Sequence, residues 1–296
     1  MKIIALNGSP RKGWNTHQML EAFLEGAQAA DAGTETELVH LFDLSYTGCR
    51  SCFTCKRKGG PSYGRCAYPD GARELLSALA AADGIVCGSP IYFHDITAQL
   101  RGLLERLFFP FHSFRAGETT LAPKPLRSAM IYTMNVTEEE MRAAGYPQNL
   151  ATTEGYFSYT FGHPPALLYA CDTWEFSDYS LYEASIWDEA AKWRQRQEQF
   201  PRDLAAARVA GMGVVRAVSI DHTACRCLRG PKHAKREGSP PLLLSAYLPS
   251  RQARESVSSC QEISPRTAPP WWQRTVCKSN RARRRTVSIP SSMSRV

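Results

Sequence analysis

The first 218 residues alternate short apolar runs with stretches of helical periodicity, and this alternation restricts the possible folds more than any other feature. The apolar runs have the length of buried strands. Strands are predicted at residues 2–6, 36–41, 84–88, 129–133 and 166–171, and helices at residues 15–27, 70–79, 100–107 and 187–200. Strand–helix alternation implies right-handed crossovers. We therefore predict a doubly wound α/β domain with a five-stranded parallel sheet.

The composition changes after about residue 218. Residues 219–296 contain 15 basic and 4 acidic residues, so the net charge of +8 comes from this segment, and the preceding part has a net charge of −3. Ser, Pro and Arg make up 33 of these 78 residues. Such a segment buries too little apolar surface to offset its ordering entropy. We therefore predict a boundary between a globular domain, residues 1–218, and a disordered basic tail, residues 219–296.

Neither a membrane nor a nucleic acid is expected as a partner. The sequence has no run of eighteen apolar residues, and the apolar run at residues 3–6 is too short for a signal peptide. The arginines at residues 281–285 could contact nucleic acid, but a solvated tail is the simpler interpretation. A cytoplasmic location is expected, and the ten cysteines are then metal ligands, redox groups or buried thiols rather than disulfides.

The turn after the first predicted strand is the first candidate site. Residues 7–10 read Asn-Gly-Ser-Pro, and Asn15 is predicted to be the N-cap of the helix that follows. A phosphate monoester binds where backbone N–H groups and hydroxyls converge at a helix N-terminus. Ser9, Asn15 and Thr16 supply additional donors. The glycine patterns of dinucleotide sites and P-loops are absent. The turn therefore indicates a mononucleotide phosphate, although an ordinary capped turn would have the same sequence.

The segment after the third predicted strand is the second candidate. Ser89-Pro90 is followed by three large apolar or aromatic residues, Ile91, Tyr92 and Phe93. Ligands of open parallel sheets bind at the carboxyl ends of the strands. An aromatic loop at that position suits a flat ring, which needs a wall and a few hydrogen bonds. The alternative is a loop that only covers the core.

A group of four cysteines is the third candidate. Cys49, Cys52 and Cys55 form a C-x2-C-x2-C pattern, and ten residues separate Cys55 from Cys66. Compact thiolate sets of this kind fit an iron–sulfur cluster better than zinc. Lengthening this last loop from about six residues to ten costs only about 0.5 kcal/mol of closure entropy, so the long gap does not forbid a cluster. Thiols without a cluster, acidified by the basic residues 56–58, remain an alternative, as does zinc.

The two loops together resemble those of the NADPH-dependent FMN reductase and iron-sulfur flavoprotein family, which has a flavodoxin-like fold. The resemblance rests on Gly8-Ser9-Pro10-Arg11, Asn15-Thr16, Ser89-Pro90-Ile91-Tyr92-Phe93, Thr97-Ala98-Gln99-Leu100-Arg101 and Leu104-Glu105-Arg106-Leu107. It implies that the FMN phosphate is held by Ser9, Arg11, Asn15 and Thr16. It also implies that the flavin ring is lined by Pro90, Ile91, Tyr92 and Phe93, with Thr133 and Asn135 in a third flavin-contacting loop.

The resemblance predicts an FMN-dependent oxidoreductase that passes electrons from NAD(P)H to a small-molecule or protein acceptor. It also implies a homo-oligomer. The alternative is an electron-transfer module that relays electrons from a ferredoxin-like partner to FMN. In that case Cys49, Cys52, Cys55 and Cys66 hold a 4Fe-4S cluster, although iron-sulfur flavoproteins usually have a shorter last gap. No catalytic residue is assigned, because hydride transfer to a flavin requires no protein acid.

Overall fold

The computed structural model describes the backbone of residues 1–228 and the side chains of residues 1–223, so the remainder of the predicted tail lies outside the described residues. The strands of this part are β1 (Lys2–Asn7), β2 (Glu35–His40), β3 (Gly84–Tyr92), β4 (Asp95–Ile96), β5 (Arg127–Thr133) and β6 (Ala166–Ala170). Its α-helices are α1 (Asn15–Ala30), α2 (Arg73–Ala81), α3 (Ala98–Phe111), α4 (Glu138–Ala143), α5 (Tyr146–Phe161), α6 (Glu189–Glu198) and α7 (Phe200–Leu228).

Five of the strands form a parallel sheet in the order β2-β1-β3-β5-β6. The predicted doubly wound α/β sheet is therefore confirmed, and this strand order is the flavodoxin-like one. The two-residue strand β4 pairs antiparallel with the end of β3 and was not predicted. Strand order reverses between β1 and β3, which places a topological switch point at the carboxyl ends of these strands.

Each central strand is buried on both faces. In β1, Ile4 and Leu6 pack into the layer that contains α2, α3 and α5, whereas Ile3 and Ala5 pack into the layer that contains α1 and α7. Successive side chains of a strand point to opposite faces. Two-sided burial explains why the predicted strands are continuous apolar runs rather than alternating ones.

The long helix α7 completes the second layer. Val214, Val215 and Val218 are buried, and the helix continues past residue 218 to Leu228. The predicted domain boundary therefore falls inside α7. Beyond it, the Asp221 carboxylate accepts two hydrogen bonds from the Arg127 guanidinium, at 2.8 and 2.9 Å. None of the helices in the described part of the chain combines the length and apolar character that a membrane crossing requires.

Candidate functional site

The carboxyl ends of β1, β3 and β5 bring the three predicted loops to one edge of the sheet. Asn7 is in register with Gly88, and Pro90 is in register with Thr133. The Oγ1 atoms of Thr16 and Thr133 lie 2.7 Å apart in a buried hydrogen bond. Residues predicted to bind phosphate and residues predicted to contact the ring are therefore neighbours.

The first loop turns sharply after β1. The Asn7 Oδ1 atom accepts the N–H of Ser9 at 2.9 Å, and the Ser9 hydroxyl accepts the N–H of Arg11 at 3.1 Å. The N–H of Gly8 donates to the carbonyl of Gly88 at 2.8 Å. A Cβ atom at Gly8 would lie 2.9 Å from the same oxygen, so the close approach of the two loops requires glycine.

Helix α1 begins without a side-chain cap in the described structure. Trp14 occupies the N-cap position, and no side chain accepts a hydrogen bond from the first turn. The prediction that Asn15 caps the helix is wrong, because Asn15 is already helical and its Nδ2 atom donates to the carbonyl of Trp174 at 2.8 Å. Uncapped N–H groups and the positive end of the helix dipole favour an anion at this position.

Arg11 contacts Trp14 and Glu175. Its guanidinium stacks 3.9 Å from the ring centroid of Trp14. It also donates to the carbonyl oxygen of Glu175 at 2.7 Å and to the carboxylate at 3.2 Å. The structure thus directs Arg11 toward residue 175. The Nε1 atom of Trp14 is buried and has no hydrogen-bond partner among the described residues, which is costly unless a ligand supplies an acceptor.

The second loop is a tight hairpin between β3 and β4. Its two central residues, Phe93 and His94, have φ angles of 51° and 69°, as type I′ turns require. Glycine and asparagine are preferred at such positions, so two bulky residues there store backbone strain. Phe93 is 100% exposed and Tyr92 is 48% exposed, whereas Pro90 and Ile91 are half-buried. The hairpin therefore presents an aromatic surface at the sheet edge.

Thr97 fastens the second loop to the first. Its hydroxyl donates to the carbonyl of Gly8 at 2.8 Å, and its N–H donates to the Ser89 hydroxyl at 3.0 Å. The same side chain caps α3 by accepting the N–H of Leu100. One residue thereby sets the position of two loops and one helix.

The third loop is held by helix α6, which sequence reasoning did not connect with the site. The Lys192 ammonium donates to the backbone carbonyl of Asn135 at 2.7 Å and also contacts the Asn135 side-chain oxygen. The Lys192 ammonium also forms an ion pair with the Asp172 carboxylate, which is its third interaction. Arg196, one turn further along α6, donates to the side-chain oxygen of Asn15 at 3.1 Å.

The four cysteines surround one small cavity beside α3. Cys55 is buried, Cys66 is half-buried, and Cys49 and Cys52 are exposed. The cavity is also lined by Arg106, whose Nε atom donates to the Cys66 sulfur at 3.4 Å. The sulfur atoms do not converge on one point: among the described residues, no three His, Cys, Asp or Glu side chains are placed to hold a metal ion.

The environments of two of these thiols differ. The Thr54 hydroxyl donates to the Cys52 sulfur at 3.5 Å, and this hydrogen bond lowers the pKa of Cys52. Burial raises the pKa of Cys55. Residues on both sides of Cys52 have positive φ angles, 52° at Ser51 and 54° at Phe53. The loop that carries the cysteines is therefore irregular, and its thiols are not equivalent.

The fold and the loop geometry define a flavodoxin-like domain with an uncapped helix start and an aromatic hairpin at its switch point. Residues 1–142 match the family model of the NADPH-dependent FMN reductases. The family resemblance inferred from the two loops is therefore confirmed for this part of the chain.

Curated relatives agree with this family, and a solved structure shares the fold. An iron-sulfur flavoprotein of Methanocaldococcus jannaschii is 38% identical over 106 residues, which are 36% of this chain and 51% of that protein. One of Methanosarcina thermophila is 34% identical over 106 residues, 36% of this chain and 52% of that protein. The match thus spans about half the length of these relatives. The NAD(P)H:quinone oxidoreductase of Methanothermobacter marburgensis has a similar fold, with a TM-score of 0.50 at 17% identity over 72% of this chain and 96% of that one.

Proposed function

We propose that the chain binds FMN at the carboxyl edge of the sheet and acts as an oxidoreductase that passes electrons from NAD(P)H through the flavin to an acceptor. The observation that carries this proposal is the meeting of the uncapped start of α1, the aromatic hairpin and the loop after β5 at one switch point. The family match of residues 1–142 supports the same function.

The residues present fit FMN. A phosphate at the start of α1 would accept hydrogen bonds from the free N–H groups there, with Ser9 and Thr16 nearby. An acceptor in this turn would also satisfy the buried Nε1 atom of Trp14. An apolar ring against the hairpin would cover Tyr92 and Phe93, which are otherwise exposed.

When bound, FMN supplies the redox chemistry, since a flavin accepts a hydride from a nicotinamide and passes electrons on. The protein's own residues bind and orient it. The positive end of α1 neutralises the phosphate, Thr97 keeps the first two loops at a fixed separation, and the aromatic hairpin excludes water from one side of the ring.

The first experiment is reconstitution of the purified chain with FMN, followed by the visible spectrum, the flavin content and steady-state oxidation of NADH and NADPH. We expect about one FMN per chain and turnover with a quinone or similar acceptor.

Phe93→Ala is expected to weaken FMN binding without loss of stability, because the side chain contacts solvent in the described structure. Ile220→Ala, an exposed position on α7, is the matched control. A chain that retains no flavin after incubation with FMN would refute the proposal.

A second candidate function is favoured by the cysteine cavity. Four cysteines line it, and no acidic residue does within the described residues. The chemistry of this donor set suits a 4Fe-4S cluster, although the sulfur atoms would have to move in order to converge on one point. Such a chain would relay electrons from a ferredoxin-like partner to FMN. Iron and sulfide assays on anaerobically purified protein decide between the two functions. Cys55→Ser should abolish bound iron, whereas Cys171→Ser, outside the cavity, should not.

The remaining expectations from the family form part of the same proposal. The electron acceptor is a small molecule or a protein, and the chain forms a homo-oligomer. Sedimentation analysis at several concentrations, with and without FMN, measures the assembly directly. If the flavin-loaded protein is monomeric at every concentration, the proposed homo-oligomer is wrong, whereas the proposed activity is unaffected.

A further inference from the structure

Two cations on helix α6 reach two different loops of the proposed FMN site. Lys192 and Arg196 lie four residues apart and therefore on the same face of the helix. Lys192 contacts the loop after β5 through Asn135, and Arg196 contacts the start of α1 through Asn15. Between them, the Gln195 amide donates to the carbonyl of Cys171 at 3.1 Å, directly after β6. Helix α6 thus joins the ends of β5 and β6 to the turn after β1.

Lys192 is an unusual residue to bury. Only 3% of its side chain is exposed, and an ammonium group removed from water is costly unless its donors are satisfied. All three N–H donors have acceptors: two oxygens of Asn135 and one of Asp172. Asp172 adopts a positive φ of 53° at this contact. Lys192 therefore holds the loop after β5 in place and offsets the unfavourable backbone conformation at Asp172.

Arg196 increases the positive charge at the start of α1. Its guanidinium donates to the side-chain oxygens of Asn15 at 3.1 Å and Gln18 at 2.9 Å. No carboxylate within the described residues pairs with it. A cation beside a helix N-terminus is repelled by the helix dipole. An anion bound in this turn would offset that repulsion, because the Arg196 guanidinium and the positive end of α1 would both attract it.

We infer that Lys192 and Arg196 are positioning residues of the FMN site, Arg196 acting on the phosphate through Asn15 and Lys192 acting on the flavin ring through Asn135. This inference rests on the proposed function. It assigns to helix α6 a role that lies outside the part of the chain matched to the reductase family, residues 1–142.

The two residues should act on different parts of the same ligand. Arg196 stabilises an anion at the turn, so its effect requires the phosphate group. Lys192 places a buried positive charge behind the ring-contacting loop, so its effect does not require phosphate. A reduced flavin carries more negative charge than an oxidised one. The Lys192 charge therefore favours the reduced form, and the neighbouring Asp172 carboxylate opposes it.

The first test compares the binding of FMN with that of riboflavin, which lacks the phosphate. Arg196→Gln should raise the Kd of FMN about tenfold, the loss of roughly one charge-assisted interaction, and change the Kd of riboflavin less than twofold. Arg194→Gln is the matched control, because Arg194 is exposed on the same helix. Equal effects on both flavins, or no effect on either, would overturn the assignment of Arg196 to the phosphate.

The second test measures the midpoint potential of the bound flavin. Lys192→Gln should shift it to a more negative value, and Asp172→Asn should shift it to a more positive one. A tenfold change in the ratio of affinities for reduced and oxidised flavin corresponds to about 30 mV for two electrons. A merely structural role predicts loss of stability in both variants without opposite shifts, and that result would overturn the assignment of Lys192.

Two further variants keep this test decisive if single substitutions unfold the chain. Lys192→Arg retains the charge and should retain the potential. The double variant Lys192→Gln/Asp172→Asn removes both charges together and should return the potential close to that of the unmodified protein. Failure of the unmodified chain to bind either flavin would refute the proposed function and this inference with it. Normal binding with unchanged variants would overturn the inference alone.

Discussion

Arg106 is nearly fully buried and holds the cysteine loop against α3. Its guanidinium donates to both carboxylate oxygens of Asp70, at 2.9 and 2.6 Å, and to the carbonyl of Thr47 at 3.2 Å. Its Nε atom donates to the sulfur of Cys66. Burial, the largest single influence, would raise the pKa of Asp70, but the hydrogen bond and charge of Arg106 together with backbone hydrogen bonds outweigh it and hold that pKa below its usual value of 3.8. One ion pair thus organises much of this loop.

Asp70→Asn should destabilise the protein by about 2 kcal/mol at pH 7, because it leaves a buried guanidinium without its counter-charge. The folded-state pKa of Asp70 is lowered, so the stabilisation is present above its unfolded pKa and is lost as the pH falls through the folded one. Urea unfolding at pH 7 should therefore separate the variant from the unmodified protein, and the difference should shrink as the pH falls below the usual pKa of an aspartate side chain. Glu138→Gln, which breaks an exposed pair with Arg142, is the control. A difference independent of pH would contradict this account.

Residue types near the site were predictable, whereas their partners were not. The turn at Ser9 and the aromatic loop at Phe93 have sequence signals, since both depend on residues adjacent in the chain. Lys192 and Arg196 reach residues 57 and 181 positions away. No local pattern distinguishes them from the other charges of a polar helix. Asn15 illustrates the same limit, because a tertiary contact with Trp174 replaced the predicted cap.

Helices α1 and α7 are in direct backbone contact, and this contact depends on two glycines. A Cβ atom at Gly26 would lie 2.0 Å from the carbonyl oxygen of Arg208, and one at Gly211 would lie 2.0 Å from that of Phe23. Such separations are far below van der Waals contact. Because α1 begins at the proposed phosphate-binding turn, the α1–α7 contact also determines where that turn lies relative to the sheet.

Gly211→Ala should therefore destabilise the protein by about 2 kcal/mol or more, because the two helices must move apart in a close-packed layer. Gly213→Ala is the matched variant in the same helix, where a Cβ atom would meet nothing within 4 Å. Glycine is a poor helix former, so this second change should stabilise the protein by about 0.5–1 kcal/mol. Thermal unfolding of both variants measures the contrast. Similar changes in stability in the two variants would show that the close approach at Gly211 does not control this contact.

The strands were easier to predict than the helices that follow them. All five predicted strands are present. The central strands β1, β3 and β5 are buried on both faces and therefore have apolar runs that the sequence reveals directly. Helix α5 was not predicted, since its sequence contains Pro147, two consecutive threonines and Gly155, which are poor helix formers. The short strand β4 was also missed. Its pairing depends on a turn through Phe93 and His94, a sequence that has none of the usual hairpin residues.

At the scale of the whole molecule, the boundary predicted at residue 218 lies inside helix α7. Composition places the boundary at residue 218, where charge and proline content change. The helix continues through it because Val214, Val215 and Val218 remain buried and Asp221 pairs with Arg127. Composition averages over many residues and does not register a few tertiary contacts at the end of a helix.

Two shortened chains test this boundary. A chain of residues 1–218 loses the Arg127–Asp221 pair, whose side chains are 29% and 36% exposed, together with the last residues of α7. It should be less stable than the full chain by about 1 kcal/mol, a decrease in Tm of about 2–4 °C. A chain of residues 1–228 keeps the whole described fold and should retain the Tm and the FMN affinity of the full chain. Asp221→Asn in the full chain separates the contribution of the ion pair from that of helix length. If the chain of residues 1–218 proves as stable as that of residues 1–228, the boundary predicted from composition is also where the stable fold ends. If the chain of residues 1–228 loses FMN binding, the segment beyond residue 228 contributes to the site.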